Sequence, residues 1–223
     1  MIRPTKLLGV FEQLGKYRRL YTVSLAPGKN VYGEFIAFED GKEYREWDPE
    51  SSKICAALHK GLSQIGLKPG DWGLYLGCAS GTTVSHVSDI IGSTGMVFAV
   101  DLAPRVVRDI VFVSEDRPNI APILLDANNV GELAKRVTQV DWLFQDIAQK
   151  DQIGIFMKNV EMFLKNGGFG MLAVKARSID VTKNPKQIFL KVRAELEKTL
   201  TIVDYRELDP FQKDHCLFVV KKK

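Results

Sequence analysis

The stretch from residue 74 to residue 89 constrains the fold of this 223-residue chain more than any other. It begins with apolar residues typical of a buried strand and continues with five small residues: Gly77, Cys78, Ala79, Ser80 and Gly81. Apolar side chains then recur at helical spacing, at Val84, Val87 and Ile91. A strand, tight loop and helix in this order place backbone N–H groups beyond the carboxyl end of the strand, where a ligand can bind.

This unit alone does not identify its ligand, because nucleotide, flavin and S-adenosylmethionine (SAM) sites all use it. The hydroxyl of Ser80, Thr82 or Thr83 could cap the helix or could bond the ligand instead. The rest of the chain has to decide between these ligands.

Strands and helices alternate over most of the remaining sequence. The pattern predicts helices over residues 48–65, 152–164 and 185–200, with a further helix starting at Pro104. Near-continuous apolar strands are predicted from Trp72 and over 96–100, 120–125, 140–145 and 169–174. The last two strands, 201–207 and 216–220, are joined by a short connection typical of an antiparallel hairpin. The sequence therefore predicts an α/β fold with a seven-stranded, mostly parallel sheet covered on both faces.

The first 48 residues have a different pattern. Alternating segments at 21–25, 31–38 and 43–47 are separated by glycine-bearing turns, which predicts a small β-rich region. A sheet of this size buries little by itself and should pack on the rest of the chain. We therefore divide the chain into an N-terminal region, residues 1–48, and a main domain, residues 49–223.

Composition excludes several classes of protein. No apolar run approaches the roughly 18–20 residues that span a bilayer, and the N-terminal segment lacks the apolar core of a signal peptide. We expect a cytoplasmic protein without a membrane partner. Three cysteines and three histidines are scattered without ligand spacing, so no metal site is predicted. The net charge of +4 is modest, but basic residues cluster at the N-terminus and in the loop after Lys175. Such clusters are suited to contacts with phosphate groups, although solvated loops can have the same composition.

Three of the predicted strands are followed by an aspartate: Asp101, Asp126 and Asp146. The carboxyl ends of parallel strands meet at one edge of the sheet, so these carboxylates are predicted to line one site. Asp101 is placed for the hydroxyls of an adenosine ribose and Asp126 for the adenine amino group. Each acid alone could instead cap a helix or belong to a turn. Together they form an acidic rim, which suits the cationic sulfonium of SAM better than the pyrophosphate of NAD, and the glycine spacing departs from G-x-G-x-x-G.

With these features the chain resembles the fibrillarin family, the 2′-O-methyltransferases of box C/D ribonucleoprotein particles. The matching motifs are YLGCASGTTVSHVSD (75–89), PRVVRD (104–109), RPNI (117–120), DIAQ (146–149), FLKNGG (163–168), KARSIDVTK (175–183) and DH (214–215). VYGE (31–34) and EYREW (43–47) resemble its N-terminal part. The sequence shows no Gly/Arg-rich tail, as in the archaeal form of the family.

The resemblance implies a Rossmann-like class I SAM-dependent methyltransferase that acts on rRNA, and on tRNA as an extension. The implied SAM contacts are Gly77, Ala79, Thr82, Thr83, Asp101, Leu102, Asp126, Ala127, Asp146, Ile147, Ala148 and Gln149. Asp146, Lys175 and His215 are implied to surround the target ribose. Lys175 ends the strand predicted beside the one that Asp146 follows, so the two side chains could pair across one cleft. From the residues alone, Lys175 could equally contact a phosphate and His215 could pack in the hairpin. The implied partners are a box C/D guide RNA and its target RNA, a Nop-domain scaffold protein and a kink-turn-binding protein of ribosomal type.

One residue departs from the family pattern. Phe35 stands where related sequences often carry a basic residue. If that residue is catalytic, its role is either absent here or filled by another side chain, such as Lys42. Two other functions share the predicted fold: a stand-alone SAM-dependent methyltransferase of another RNA or protein, and a non-catalytic assembly subunit. An NAD dehydrogenase fits the residues less well.

Overall fold

The computed structural model describes residues 1–223 as two sheets with helices packed around the larger one. The N-terminal sheet contains five antiparallel strands in the order β1-β2-β3-β5-β4. Their bounds are β1 (Arg3–Pro4), β2 (Phe11–Gln13), β3 (Arg19–Val23), β4 (Ile36–Glu39) and β5 (Lys42–Trp47).

The larger sheet contains seven strands, as the sequence predicts. They are β6 (Trp72–Leu76), β7 (Met96–Asp101), β8 (Ile120–Leu124), β9 (Val140–Gln145), β10 (Leu164–Lys175), β11 (Leu200–Glu207) and β12 (His215–Lys222). The helices are α1 (Lys53–His59), α2 (Thr82–Ile91), α3 (Pro104–Glu115), α4 (Val130–Leu133), α5 (Gln152–Phe163), α6 (Ala176–Ile179) and α7 (Pro185–Glu197).

The order of the strands in this sheet is β11-β12-β10-β9-β6-β7-β8. All pairs from β10 to β8 are parallel, whereas β12 is antiparallel to both β10 and β11, which confirms the predicted hairpin. From β6 the chain proceeds outward through β7 and β8, and it then returns to β9 on the other side of β6. The switch in direction opens a crevice between β6 and β9 at their carboxyl ends, where ligands of such sheets bind.

The strands are apolar on both sides because each side has its own core. Tyr75 and Phe144 belong to the core shared with α1, α2 and α3. Their neighbours Leu74 and Leu143 belong to the core shared with α5 and α7. Adjacent residues of a strand point to opposite faces, so parallel strands buried on both faces read as continuous apolar runs.

Four charged residues join the N-terminal sheet to the main domain, and we call them the buried ionic cluster: Glu34, Arg45, Asp89 and Arg117. Arg45 in β5 donates to Glu34 Oε1 at 2.7 Å and to Asp89 Oδ2 in α2 at 2.7 Å. Arg117 donates to the other Asp89 oxygen at 2.5 Å. All four side chains are at most 1% exposed. Buried charges are tolerated when each is paired and hydrogen-bonded, and that condition defines this interface.

His86 lies beside this cluster. Burial lowers the pKa of His86 well below its ordinary value, and the charges of Arg45 and Arg117 lower it further. Its ring nitrogens lie 2.8 Å from the Thr22 hydroxyl and 2.7 Å from the Tyr32 hydroxyl, both from the N-terminal region. A neutral imidazole therefore completes the contact between the two sheets.

Two predicted elements are wrong in extent. The helix predicted over 48–65 is only α1, because Gly61 and Gly66 have positive φ of 83° and 68° and turn the chain. The strand predicted over 31–38 is reduced to β4, because the Glu34 carboxylate accepts the N–H groups of Val31 and Tyr32 and bends this segment. The short strands β1 and β2 and the short helices α4 and α6 are not predicted from the sequence.

Candidate functional site

A cavity of about 290 Å³ lies at the carboxyl ends of the central strands. Its lining contains ten of the twelve residues predicted to contact SAM: Gly77, Ala79, Asp101, Leu102, Asp126, Ala127, Asp146, Ile147, Ala148 and Gln149. Val100 and Leu125 complete it. The fold therefore brings the ends of β6, β7, β8 and β9 together around one space, as the strand-end argument requires.

The floor of the cavity is made of backbone at Gly77. This residue has φ of 78°, and a Cβ atom added there would overlap the carbonyl oxygen of Asp146. The Asp146 N–H donates to the Leu76 carbonyl at 2.9 Å, which fixes the two strand ends against each other. Only glycine permits this close approach of the two strand ends, and as a result main chain rather than a side chain forms the cavity wall at this position.

Asp101 and Asp126 make turn bonds and also line the cavity. Asp101 accepts N–H groups from Ala79 at 3.3 Å and from Ala103 at 3.0 Å, and Asp126 accepts from Asn128 at 2.8 Å. These are turn bonds, yet both carboxylates still line the cavity. A carboxylate has about four acceptor positions, so each aspartate retains capacity for a ligand. The acidic rim and the main-chain wall at Gly77 fit an adenosyl group with a sulfonium centre.

Two predicted contacts do not reach this cavity. Thr82 and Thr83 are the first residues of α2, whose N-cap is Gly81 with φ of 109° and no side-chain cap. None of the three predicted hydroxyls therefore caps the helix. Thr83 is buried and donates its hydroxyl hydrogen bond to Ser52 Oγ at 2.9 Å. Any role of this hydroxyl toward a ligand has to compete with that bond.

The predicted partner of Asp146 is wrong. Asp146 Oδ2 lies 2.7 Å from Lys53 Nζ, and Lys175 forms no ion pair with it. Lys53 begins α1, which packs against β12, the strand next to β10 in the sheet. Lys175 is held by its main chain, which donates to Gln152 Oε1 at 3.0 Å and accepts from Gln152 Nε2 at 3.1 Å. The structure therefore adds a second lysine to the predicted set.

The position of Lys53 at the start of its helix indicates a functional role that was not predicted from the sequence. It is the first residue of a helix whose first turn contains no acidic residue. The positive end of the helix dipole lies there and disfavours a cation. A lysine in this position costs stability, and such placements are typical of functional residues.

His215 joins this group from the next strand. Lys175 and His215 are directly paired in the register of β10 and β12. Burial lowers the pKa of His215, and the charges of Lys53 and Lys175 lower it further. The hydrogen bond with the Lys213 carbonyl and the charge of Asp146 raise this pKa, but the net pKa is lowered. Nδ1 lies 2.7 Å from that carbonyl, which only accepts hydrogen bonds. The neutral ring therefore carries its proton on Nδ1 and has a free lone pair on Nε2.

Phe35 lies outside the site. It is 55% exposed, and the Arg19 guanidinium lies 5.8 Å from the centre of its ring. Lys42, the candidate replacement, is exposed at the turn between β4 and β5, where it pairs with Glu39 in register. Lys42 therefore does not fill that role, and the basic side chain bonded to Asp146 is that of Lys53.

Other chemical groups near the cavity are inert. Burial raises the pKa of the Cys78 thiol, and Asp101 raises it further, so this cysteine is a neutral core residue. A larger cavity of about 650 Å³ lies between the N-terminal strands and α1, but none of the strand-end residues lines it. No helix combines the length and the apolar character needed to cross a bilayer.

Known proteins resemble this chain over nearly its whole length. A family model described as Fibrillarin matches residues 2–223. A fibrillarin-like rRNA/tRNA 2′-O-methyltransferase of Pyrococcus abyssi is 49% identical over 204 residues, covering 92% of this chain and 90% of the relative. The crystal structure of Aeropyrum pernix fibrillarin with natively bound S-adenosyl-L-methionine has a TM-score of 0.91 at 43% identity, covering 99% of this chain and 97% of the other. A fibrillarin/Nop5p complex has a TM-score of 0.88 at 37% identity, covering 99% and 100%.

Proposed function

Since the chain belongs to the fibrillarin family, we propose that it methylates the 2′-hydroxyl of ribose in rRNA within a box C/D particle, with SAM as methyl donor. It is an RNA 2′-O-methyltransferase, and the names of its relatives extend the substrate to tRNA. The observation that carries this function is the Lys53–Asp146 pair beside the cavity, with Lys175 and His215 at the adjoining strand ends. The pair supplies the polar groups that a methylated hydroxyl has to meet.

We assign cofactor binding to the cavity residues that line the strand ends. When bound, SAM supplies an electrophilic methyl group on a positively charged sulfur. The acidic residues Asp101, Asp126 and Asp146 favour that charge, and the main chain at Gly77 and Ala79 holds the ligand without side-chain obstruction. For Thr83 we retain only the backbone as a candidate contact, because its hydroxyl is already bonded to Ser52. Thr82 stays a candidate contact through its hydroxyl and its backbone.

The target hydroxyl has to be oriented and has to lose its proton. Lys53 and Lys175 are placed to donate to the ribose oxygen and to stabilise negative charge that develops on it. Asp146 holds Lys53 through the 2.7 Å ion pair. His215 has its free Nε2 lone pair near both lysines, so we assign to it the acceptance of the proton. Alignment of the reacting atoms supplies much of the remaining acceleration.

A Nop-domain scaffold protein is the partner that the related complex supports. We further propose a box C/D guide RNA, its target RNA and a kink-turn-binding protein. A single domain with basic loops holds a backbone but has few means to read a sequence, so base pairing with a guide would supply specificity. We further propose that this reaction takes place in the cytoplasm.

The test is a reconstituted methylation assay with labelled SAM, guide RNA, target RNA and both partner proteins. We expect label on one target nucleotide only when the partners are present. A matched target with 2′-deoxyribose at that nucleotide should receive no label. Label on the deoxy target would refute ribose chemistry, and efficient site-specific labelling by the isolated chain would refute dependence on the particle.

A further inference from the structure

The loop from Gly77 to Gly81 is tied at both ends to the two members of the catalytic ion pair. At its start, the Leu76 carbonyl accepts the Asp146 N–H at 2.9 Å. Just past its end, Thr83 Oγ1 donates to Ser52 Oγ at 2.9 Å. Ser52 directly precedes Lys53. The loop therefore lies between one contact to the main chain of Asp146 and one contact to the residue before Lys53.

The Ser52 side chain is the N-cap of α1, but its own cap bond is weak. Ser52 Oγ accepts the Cys55 N–H at 3.5 Å, at the long limit for a hydrogen bond, whereas the bond from Thr83 is 2.9 Å. Ser52 is 2% exposed and Thr83 is 6% exposed, so water cannot replace the Thr83 hydroxyl. The start of α1 is thus held mainly by α2.

We propose that Thr83 is a positioning residue for methyl transfer: its hydroxyl, acting through Ser52, holds Lys53 Nζ against Asp146. Lys53 needs such support, because it lies at the positive end of a helix of only seven residues. A small displacement of a group near the reaction can cost about 100-fold in rate. This inference rests on the proposed function and adds a residue that touches neither the methyl donor nor the ribose through its side chain.

The decisive variants change one hydroxyl at a time. Thr83→Val removes the hydroxyl and keeps the shape of the side chain, whereas Thr83→Ser keeps the hydroxyl. Thr22→Val is the matched control, because it also removes a buried threonine hydroxyl bonded to α2, at Asp89 rather than at Ser52. Thr22 has no contact with the catalytic group, so its loss should lower stability without affecting methyl transfer.

We expect kcat of Thr83→Val to fall about 10- to 100-fold in the reconstituted particle, with Thr83→Ser close to wild type. The Kd for SAM, measured by calorimetry on the isolated chain, should stay within about twofold of wild type. A crystal structure of Thr83→Val without ligand should show Lys53 Nζ farther from Asp146 Oδ2 than 2.7 Å. Thr22→Val should lower Tm but leave kcat unchanged.

Three results would overturn the inference. A large rise in the Kd for SAM with unchanged kcat would make Thr83 a cofactor contact. Equal loss of kcat in Thr83→Val and Thr22→Val would reduce its role to stability. Equal loss in Thr83→Val and Thr83→Ser would exclude the hydroxyl as the cause.

The double variant Ser52→Ala/Thr83→Val tests whether the hydroxyls of Ser52 and Thr83 act through each other. If the two hydroxyls act through each other, the double variant should be no slower than the slower single variant. Additive losses would contradict the coupling. Failure of the wild-type particle to methylate ribose would refute the proposed function instead, and the ligand-free structure of Thr83→Val would still test the geometry.

Discussion

Two groups of charged residues at opposite ends of α2 use the same chemistry in different surroundings. In the buried ionic cluster, the Arg45 and Asp89 side chains are 0% exposed and Asp89 uses both of its oxygens. In the proposed catalytic group, which consists of Lys53, Asp146, Lys175 and His215, Lys53 and Asp146 are 19% and 23% exposed and share a single bond. The first group is closed, whereas the second keeps donors and acceptors available.

This difference separates a structural from a reactive use of ion pairs. A buried cluster in which every charge is paired does not readily exchange partners, so its charges fix how two parts of the chain pack. A partly exposed pair with free bonding positions can accept a substrate oxygen without first being broken. Substitutions in the buried ionic cluster should therefore lower the stability of the fold. Substitutions of Lys53 and Asp146 should instead lower the rate of methyl transfer.

The largest effect on stability is expected from Asp89→Asn. This change keeps the volume but leaves Arg117 without its carboxylate partner in a site that water does not reach. Removal of one member of a buried pair costs about 3–5 kcal/mol. Urea unfolding followed by tryptophan fluorescence measures this loss in the free energy of unfolding. If the variant is too unstable to purify, Thr22→Val tests the same interface with a smaller loss, and a change below measurement error in both would contradict the comparison.

The largest effect on catalysis is expected from Asp146→Asn and Lys53→Met. Each removes one charge of a pair that is about one fifth exposed, so the free energy of unfolding should change by less than about 1 kcal/mol. Methyl transfer in the particle should fall by about 100-fold or more. Single-turnover assays and urea unfolding of the same preparations provide both readouts. A stability loss as large as that of Asp89→Asn would erase the distinction between the two groups.

Acid should weaken the buried cluster through Glu34. Burial raises the pKa of Glu34, but the Tyr32 N–H and Arg45 lower it more, and the net pKa lies below the ordinary 4.5. A carboxyl with a lowered pKa stabilises the fold above its unfolded pKa, and this stabilisation is lost as pH falls through the folded value. Unfolding free energies measured between pH 7 and pH 3 should therefore decline less in Glu34→Gln than in wild type. Glu197→Gln, on an exposed helix surface, is the control that should follow wild type.

The smallest effect is expected from Arg193→Ala. Arg193 and Glu197 form an i,i+4 pair on α7 and are 51% and 47% exposed. Exposed pairs of this kind contribute about 0.3–0.5 kcal/mol. Thermal unfolding should therefore be close to that of wild type. A loss comparable with that of Asp89→Asn would show that exposure does not govern these effects.

The main sheet can be predicted from the sequence because its strands are apolar on both faces and its loops contain glycine. The N-terminal sheet is harder to predict. The segment around Glu34 has the residue pattern of a strand, but its own carboxylate captures two backbone N–H groups. The carboxylate competes with the hydrogen bonds of a β-sheet for these N–H groups, and the periodicity of apolar residues cannot predict this competition.

The cavity can be predicted because its residues lie at strand ends, and the order of strands in α/β sheets is restricted. Lys53 cannot, because it reaches Asp146 from a helix 93 positions away in the chain. Asp89 and Arg117 escape sequence reasoning for the same reason. Their burial results from the docking of the N-terminal sheet, and nothing in the adjacent residues encodes it.

The buried ionic cluster also limits how this protein could exchange parts with others. A graft of an N-terminal sheet from another methyltransferase would dock only if it brought a guanidinium to the position of Arg45 and a carboxylate to that of Glu34. Any other sheet would bury Asp89 against uncharged neighbours on that side. Chimaeras of related enzymes should therefore fold only when the grafted N-terminal region carries these charges at the positions of Arg45 and Glu34.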